Sequence, residues 1–373
     1  MTTNRPTVSL RTSAVVVLPW WVAARVLVGI GWLVARVGSD HLAPGNRPVQ
    51  LQQGLLLWDG SWYRRLAEHG YSSAPHEALR FFPGHVWLGK AVGLLLADHP
   101  AAGLVVVANM SAFVALVLLH QLATHEGFSA QEASFAVAML AMFPSAAALV
   151  WGYSEGLFLV GVVGCFLGLR RQWWWWAALA ALVAALTRPV GVLLVLPAVV
   201  EVLRARRGRR GLEWPALATL AAPVIGLAVA LANSAAAGEG WLAPLRVQEP
   251  LRGDVVEPVT RLAQAVTDLF DSSQSLADGL HAPFAVAFVV LAVVAARTLP
   301  ASYSLFAAAM VAVALAAENL NSLERYALGA FPLVLAATAL TRRLPTWRGP
   351  LLSACGGSLV ALSALSWIGS YVP

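Results

Sequence analysis

Charge is what this chain has least of. Only 12% of its 373 residues are charged, where soluble domains carry about 25%. An ordinary soluble domain is thereby excluded. Lysine is nearly absent: Lys90 is the only one, so the formal net charge of +6 comes from arginine. Cysteine is scarce as well. Cys165 and Cys355 both fall inside apolar runs, which reads as packing and argues against a disulfide framework or a cysteine metal site. No GxGxxG, P-loop, HExxH or CxxC pattern occurs, so there is no sequence case for nucleotide, zinc or redox chemistry. No metal and no other cofactor is expected. The basic balance does not imply nucleic acid either. The arginines cluster between apolar runs, as in membrane loops that face anionic lipid.

What the chain does have is hydrocarbon. Hydrophobic residues make up 59%, and the mean hydropathy is +0.70. A membrane-spanning helix needs about 20 mostly apolar residues. Runs that reach or approach this are 14–37, 101–123, 130–150, 155–170, 173–187, 189–203, 213–237, 281–297, 300–318, 323–341 and 350–371. The expectation is an all-α, polytopic membrane protein of about eleven spans, with residues 1–373 as one integrated domain. The first run lacks a small-residue cleavage site and reads as a retained helix. Segment 84–97 is apolar but short, as in a re-entrant or interfacial helix.

Arginine placement sets the orientation. With Arg5 and Arg11 in the cytoplasm, alternating spans put Arg170, Arg171, the cluster Arg204 to Arg210, Arg297, Arg342, Arg343 and Arg348 on the same side. That satisfies the positive-inside rule repeatedly. The other side collects acids: Asp59, Glu68, Glu155, Asp254, Glu257, Glu318 and Glu324. It also receives outer loops 38–84 and 238–280, the second with an amphipathic pattern at Leu262, Val266 and Leu269. Trp173 to Trp176 form an aromatic belt at the cytoplasmic start of a span.

One stretch stands out on the outer side. Residues 58–83 hold Trp58, Asp59, Trp62, Tyr63, Glu68 and His69 beside the first apolar run. Taken alone, it is either an interfacial loop or a site. Thr187-Arg188-Pro189 interrupts another apolar stretch, and proline must end or kink that helix. Irregular backbone at membrane depth requires protein or a water-filled cavity around it. Arg188 is then a snorkelling anchor or an anion ligand. Glu155 is a helix-terminal carboxylate favoured by the helix dipole, or part of the same site.

These residues resemble the PIG-V family, the GPI mannosyltransferase 2 family and its bacterial relatives. The likeness runs through Trp58-Asp59-Gly60, Trp62-Tyr63, Ala67-Glu68-His69-Gly70-Tyr71 and Phe81-Phe82-Pro83. It continues in order through Phe143-Pro144, Tyr153-Ser154-Glu155, Leu186-Thr187-Arg188-Pro189 and Arg325-Tyr326 to Phe331-Pro332. One departure is near Gln248, where the tryptophan expected shortly after the glutamine is missing. The resemblance implies a GT-C type glycosyltransferase in the plasma membrane. Its active site would be extracytoplasmic, its donor a polyprenyl-phosphate sugar, its mechanism inverting and its surroundings membrane lipid. The sugar would be mannose and the acceptor an unidentified lipid, glycan or protein.

Such a transfer needs a base, positive charge for the leaving phosphate and a hydrocarbon slot. Asp59 is the candidate base, since partial desolvation at an interface strengthens a carboxylate as a base. Trp58 and Trp62 would supply apolar faces for a sugar ring. Arg188 and Arg325 are candidate phosphate ligands, because a guanidinium binds phosphate oxygens in bidentate fashion. Tyr63, Glu68, His69, Tyr153, Glu155 and Gln248 are candidates to contact the substrates. A transporter or a lipid-linked sugar flippase is the competing class, as broken helices with buried charge also mark those proteins. The absence of an internal repeat and the outward placement of the charges weigh against it.

Overall fold

The computed structural model describes residues 8–43, 47–207, 214–268 and 276–372. Arg5, Arg209, Arg210 and Leu269 lie outside the described residues. The chain opens with α1 (Leu10–Leu42), whose first turn is capped by Ser9 Oγ accepting from the Thr12 N–H at 3.1 Å. One face of α1 buries Val17, Ala24, Val28 and Ala35, while Val15, Val22, Val26 and Leu33 stay exposed. An apolar face left open along a 33-residue helix is what lipid contact requires.

Helix α2 (Asp59–His69) is short and amphipathic. Helices α3 (Pro83–Leu95) and α4 (Pro100–His125) form a tight antiparallel pair. A Cβ on Gly103 would sit 2.1 Å from the Gly89 carbonyl oxygen, so only glycine permits this approach. The apolar segment after the outer stretch is therefore a helix packed on α4.

Ser129 and Glu132 make a capping box that starts α5 (Ala130–Ala141). Helix α6 (Glu155–Arg171) runs through the core between α4 and α7 (Trp174–Thr187). Small residues make that packing close: a Cβ on Gly156 would lie 2.6 Å from Ala108 O, and one on Gly161 2.7 Å from Ala180 O. Then follow α8 (Val195–Arg206), α9 (Trp214–Ala236) and the short α10 (Ala243–Arg246) and α11 (Glu249–Arg252). The amphipathic stretch expected in the long loop is α12 (Pro258–Asp268). The chain continues through α13 (Leu276–Thr298), α14 (Ala301–Leu315), α15 (Leu323–Leu328), α16 (Pro332–Leu340) and α17 (Arg348–Trp367).

Every apolar run does contain helix, but among the described residues five helices are long and apolar enough to cross a membrane on their own. These are Leu10–Leu42, Pro100–His125, Trp214–Ala236, Leu280–Thr298 and Pro345–Trp367. Helix length therefore does not establish the expected eleven spans. The physical reason is visible at the breaks. Phe143-Pro144 follows the end of α5, Pro189 follows the end of α7, and Phe331-Pro332 separates α15 from α16. Hydropathy averages across such breaks, whereas a proline lacks the N–H that the next helical bond needs, although α1, α9 and α13 run on through Pro19, Pro223 and Pro283.

Helix α6 also measures the distance between two polar levels. Glu155 is its first residue and Arg171 its last, about 24 Å apart at 1.5 Å per residue. At the far level, Arg170 Nε meets Glu126 at 2.6 Å and its Nη1 meets Glu201 at 3.0 Å. Ser302 Oγ donates to Glu201 at 2.6 Å, and Tyr303 donates to Glu126 at 3.1 Å. Arg342 joins the same end by binding Glu132 at 2.8 Å. Cys165 is buried and Cys355 half-buried, and both are free thiols.

Candidate active site

At the other level, the start of α2 is held by an unusual backbone. Trp58 has φ +48°, a region that L-residues seldom occupy. It is pinned there on three sides. Its indole Nε1 donates to Ser366 O at 3.0 Å, its carbonyl accepts from Ser61 Oγ at 2.7 Å, and the Asp59 N–H donates to Tyr153 Oη at 3.3 Å. This turn delivers Asp59 as the first residue of α2, with its carboxylate toward a cavity. There it pairs with Arg325, while Arg80 Nη2 lies 3.8 Å from its other oxygen.

Two helix ends supply the next charges. Glu155 opens α6, and Arg188 sits in extended conformation where Pro189 has stopped α7. Arg188 pairs with Glu155, and Arg325 Nε lies 3.4 Å from the same carboxylate oxygen. The second Glu155 oxygen is buried without a hydrogen-bond partner. Asp59, Arg325, Glu155 and Arg188 thus form one chain of alternating charge. Side-chain exposure falls from 22% at Asp59 to 5% at Glu155.

The Tyr326 ring sits among three guanidiniums. Arg252, Arg188 and Arg325 lie 4.4, 5.2 and 5.6 Å from its centre. Arg252 is brought in by a short antiparallel contact. Asn319 N–H donates to Arg252 O at 3.2 Å, and Val256 N–H donates to Ala316 O at 3.1 Å. Tyr63, one turn after Asp59, donates to Ser154 Oγ at 2.8 Å. Burial pushes the Tyr63 hydroxyl above its ordinary range, so it stays protonated as a donor.

These groups line a cavity of about 270 Å³, with four arginines (Arg80, Arg188, Arg252, Arg325) against two carboxylates (Asp59, Glu155). The excess positive charge suits an anion. A second cavity of about 640 Å³ shares Pro189, Val190, Gln248 and Arg252 with it, and is walled by Leu193, Leu227, Leu242, Leu245 and Val313. The charged pocket therefore borders a mainly apolar one, whose lining also includes Arg246, Glu249 and Asp254. Among the described residues, no group of three His, Cys, Asp or Glu side chains is placed to hold a metal.

The sequence candidates divide as follows. Asp59, Tyr63, Glu155, Arg188, Gln248 and Arg325 all line the charged cavity. Tyr153 lies fully buried behind Asp59. Trp58 braces the turn, and Trp62 stacks on Phe81 at 6.4 Å. Neither indole lines this cavity; Trp62 lines a shallower depression on the outside of α2. Glu68 and His69 are exposed and line a separate depression on the outside of α2. Helical rotation of about 100° per residue explains this, since nine residues carry Glu68 half a turn away from Asp59. Sequence reasoning missed Arg80, Arg252, Asn319, Asn321 and Tyr326. It also missed the buried trio in which Glu324 accepts from Tyr371 at 3.0 Å and meets His281 at 2.7 Å.

No protein-family model and no curated protein matches this sequence. Solved structures do match in fold. ArnT from Cupriavidus metallidurans bound to undecaprenyl phosphate superposes with a TM-score of 0.52 at 18% identity, over 90% of this chain and 62% of that one. The archaeal oligosaccharyltransferase AglB from Archaeoglobus fulgidus, in complex with an inhibitory peptide and a dolichol-phosphate, gives 0.51 at 13% identity, over 94% and 56%. The arabinofuranosyltransferase AftD from Mycobacteria gives 0.50 at 19% identity, over 99% of this chain and 27% of that one. The chain spans about three fifths or less of the length of each of these proteins. What they share with it is the fold: an all-α, multi-pass membrane architecture.

Proposed function

We propose that this protein is an inverting glycosyltransferase that takes its sugar from a polyprenyl phosphate. The observation that carries the reading is the pairing of Asp59 with Arg325 inside an arginine-rich cavity that borders a mainly apolar one. The apolar cavity takes the isoprenoid chain of the donor. Arg188, Arg252 and Arg325 take its phosphate, as charge-assisted bidentate hydrogen bonds favour. The likeness to ArnT bound to undecaprenyl phosphate and to AglB with dolichol-phosphate supports a lipid-phosphate donor by analogy of fold.

The reaction follows from these placements. Asp59 accepts the proton of an acceptor hydroxyl. The hydroxyl oxygen attacks the anomeric carbon opposite the phosphate, and the carbon–phosphate-oxygen bond breaks with its electron pair on the phosphate. The configuration inverts and the arginines stabilise the leaving dianion. Arg325 couples the two halves. Without donor it holds the Asp59 carboxylate, and a donor phosphate competes for the same guanidinium and frees the base. Positioning of both substrates contributes about 7–11 kcal/mol, so the chemistry runs without a bound metal. Tyr63, Gln248, Asn319 and Asn321 orient the sugar.

Membership of the PIG-V group, and with it mannose as the sugar, rests on the motifs around Asp59, Glu155, Arg188 and Arg325. The acceptor is an extracytoplasmic lipid, glycan or protein hydroxyl. The test uses purified full-length protein with polyprenyl-phosphate mannose, polyprenyl-phosphate glucose and extracted envelope lipids. Asp59→Asn should lower transfer about 10²–10⁴-fold while the protein stays folded. Undiminished transfer removes Asp59 as the base. Movement of intact donor across the bilayer without transfer favours a flippase instead.

A further inference from the structure

A cavity larger than the charged one lies elsewhere in the protein. It measures about 1500 Å³ and lies between α1, α4, α6 and α7. That exceeds the roughly 300–1,000 Å³ of ordinary small-molecule pockets. Its walls run from Phe113 to His125 on α4 and from Val160 to Arg171 on α6. At 1.5 Å per residue these stretches are about 17 Å long. One leaflet of a bilayer has a hydrocarbon depth of about 15 Å, half of 30 Å. The slot is therefore one leaflet deep.

Its chemistry is graded along that depth. The interior is walled by Phe113, Val114, Val117, Leu118 and Val160, and the mouth by Arg171 and Gln121. Trp173 and Trp176 stand at the same mouth, 53% and 44% exposed, at the level where indoles meet lipid headgroups. The two neighbouring arginines there are used differently. Arg170 is consumed by Glu126 and Glu201. Arg171 donates to Gln121 Oε1 at 3.0 Å and its guanidinium lies 4.9 Å from the Trp173 ring centre, while its buried Nε has no hydrogen-bond partner. Among the described residues no carboxylate pairs with it. Gln121 is itself fixed by donating to Val8 O at 2.6 Å and Ser13 Oγ at 3.0 Å. A pre-positioned cation without a counter-ion thus sits over a leaflet-deep apolar slot.

We propose that this slot binds one anionic diacyl phospholipid of the leaflet on the arginine-rich side. Its phosphate rests on Arg171, and its acyl chains lie between α1, α4 and α6. The site is distinct from the donor cavity, because α6 separates Arg171 from Glu155 by about 24 Å. It requires nothing of the proposed reaction.

The experiment uses full-length protein in nanodiscs of equal dioleoyl-phosphatidylglycerol and dioleoyl-phosphatidylcholine. Native mass spectrometry then counts the lipid retained after release. Wild-type protein should retain one phosphatidylglycerol in preference to phosphatidylcholine. Arg171→Gln should lower that retention about fivefold, the effect of one arginine near a lipid surface. Val114→Trp should lower it by filling the slot. Val114 is 44% exposed, so the added ring does not disturb the core, and thermal unfolding checks both variants. Equal retention of the two lipids by wild-type protein overturns the proposal and needs no variant. Unchanged retention in either folded variant does the same, as does displacement of phosphatidylglycerol by undecaprenyl phosphate.

Discussion

Glu155 is the residue on which two cations depend. It is 5% exposed at its side chain and faces both Arg188 and Arg325. Removing one partner of a buried ion pair costs about 3–5 kcal/mol, because the other charge is left without compensation. Glu155→Ala should therefore unfold at a markedly lower temperature in detergent. Replacing both members, Glu155→Leu with Arg188→Met, should recover most of that stability, since apolar groups of similar size substitute well for a buried pair. Transfer should stay absent in the double variant, because the phosphate has lost Arg188. Recovery of stability together with activity would make the pair a structural anchor only. A second expectation concerns metals. Four arginines against two carboxylates repel a divalent cation, so transfer measured in excess EDTA should match transfer without it. A loss restored by added magnesium or manganese would refute that.

Elements position these residues through their ends and their close contacts. The α3–α4 pair carries Pro83 and Gly84 against Thr187, beside Arg188; a Cβ on Gly84 would lie 3.0 Å from Thr187 Oγ1. Gly103→Val should push α3 off α4, since even its Cβ meets the Gly89 carbonyl at 2.1 Å. Overpacking of this kind costs about 1–3 kcal/mol. Gly29→Ala, where nothing lies within 4 Å, should leave the melting temperature unchanged or slightly raised. Equal melting of the two variants would show that the α3–α4 contact is looser than its geometry. The same elements explain what the sequence could reveal. Asp59, Glu155 and Arg188 were legible because each breaks a greasy run beside an aromatic or a proline. Arg80 and Arg252 were not, since an arginine in a polar loop carries no signal until the fold brings it to Tyr326 or Asp59. Glu68 lies apart from Asp59 because a motif read as a string ignores the rotation of α2. The helical class was plain from hydropathy, but the lengths of α5, α7 and α16 depended on where prolines fall.

At the scale of the whole molecule, two opposite levels of charge ask which of them faces the cytoplasm. One level holds the cavity of Asp59 and Arg325. The other holds Arg170, Arg342 and Arg348 around the α4–α5 turn, through Glu126 and Glu132. The positive-inside rule keeps arginine-rich connections in the cytoplasm, so the expectation is a cavity that faces outward. Cysteine labelling tests this directly, because the two native thiols interfere little. Cys165 is buried, and Cys355→Ser removes the half-buried one. Ser72, exposed in the loop after α2, marks the cavity level, and Ala130, exposed at the start of α5, marks the other. In intact cells or spheroplasts a membrane-impermeant maleimide should label Ser72→Cys. Ala130→Cys should label only after the membrane is opened. The opposite pattern would turn the charged cavity to the cytoplasm, where sugar nucleotides are at hand and a lipid-phosphate donor loses its purpose. Labelling of both positions from outside would show that the protein inserts in two orientations, and that the arginines at one end do not fix its direction.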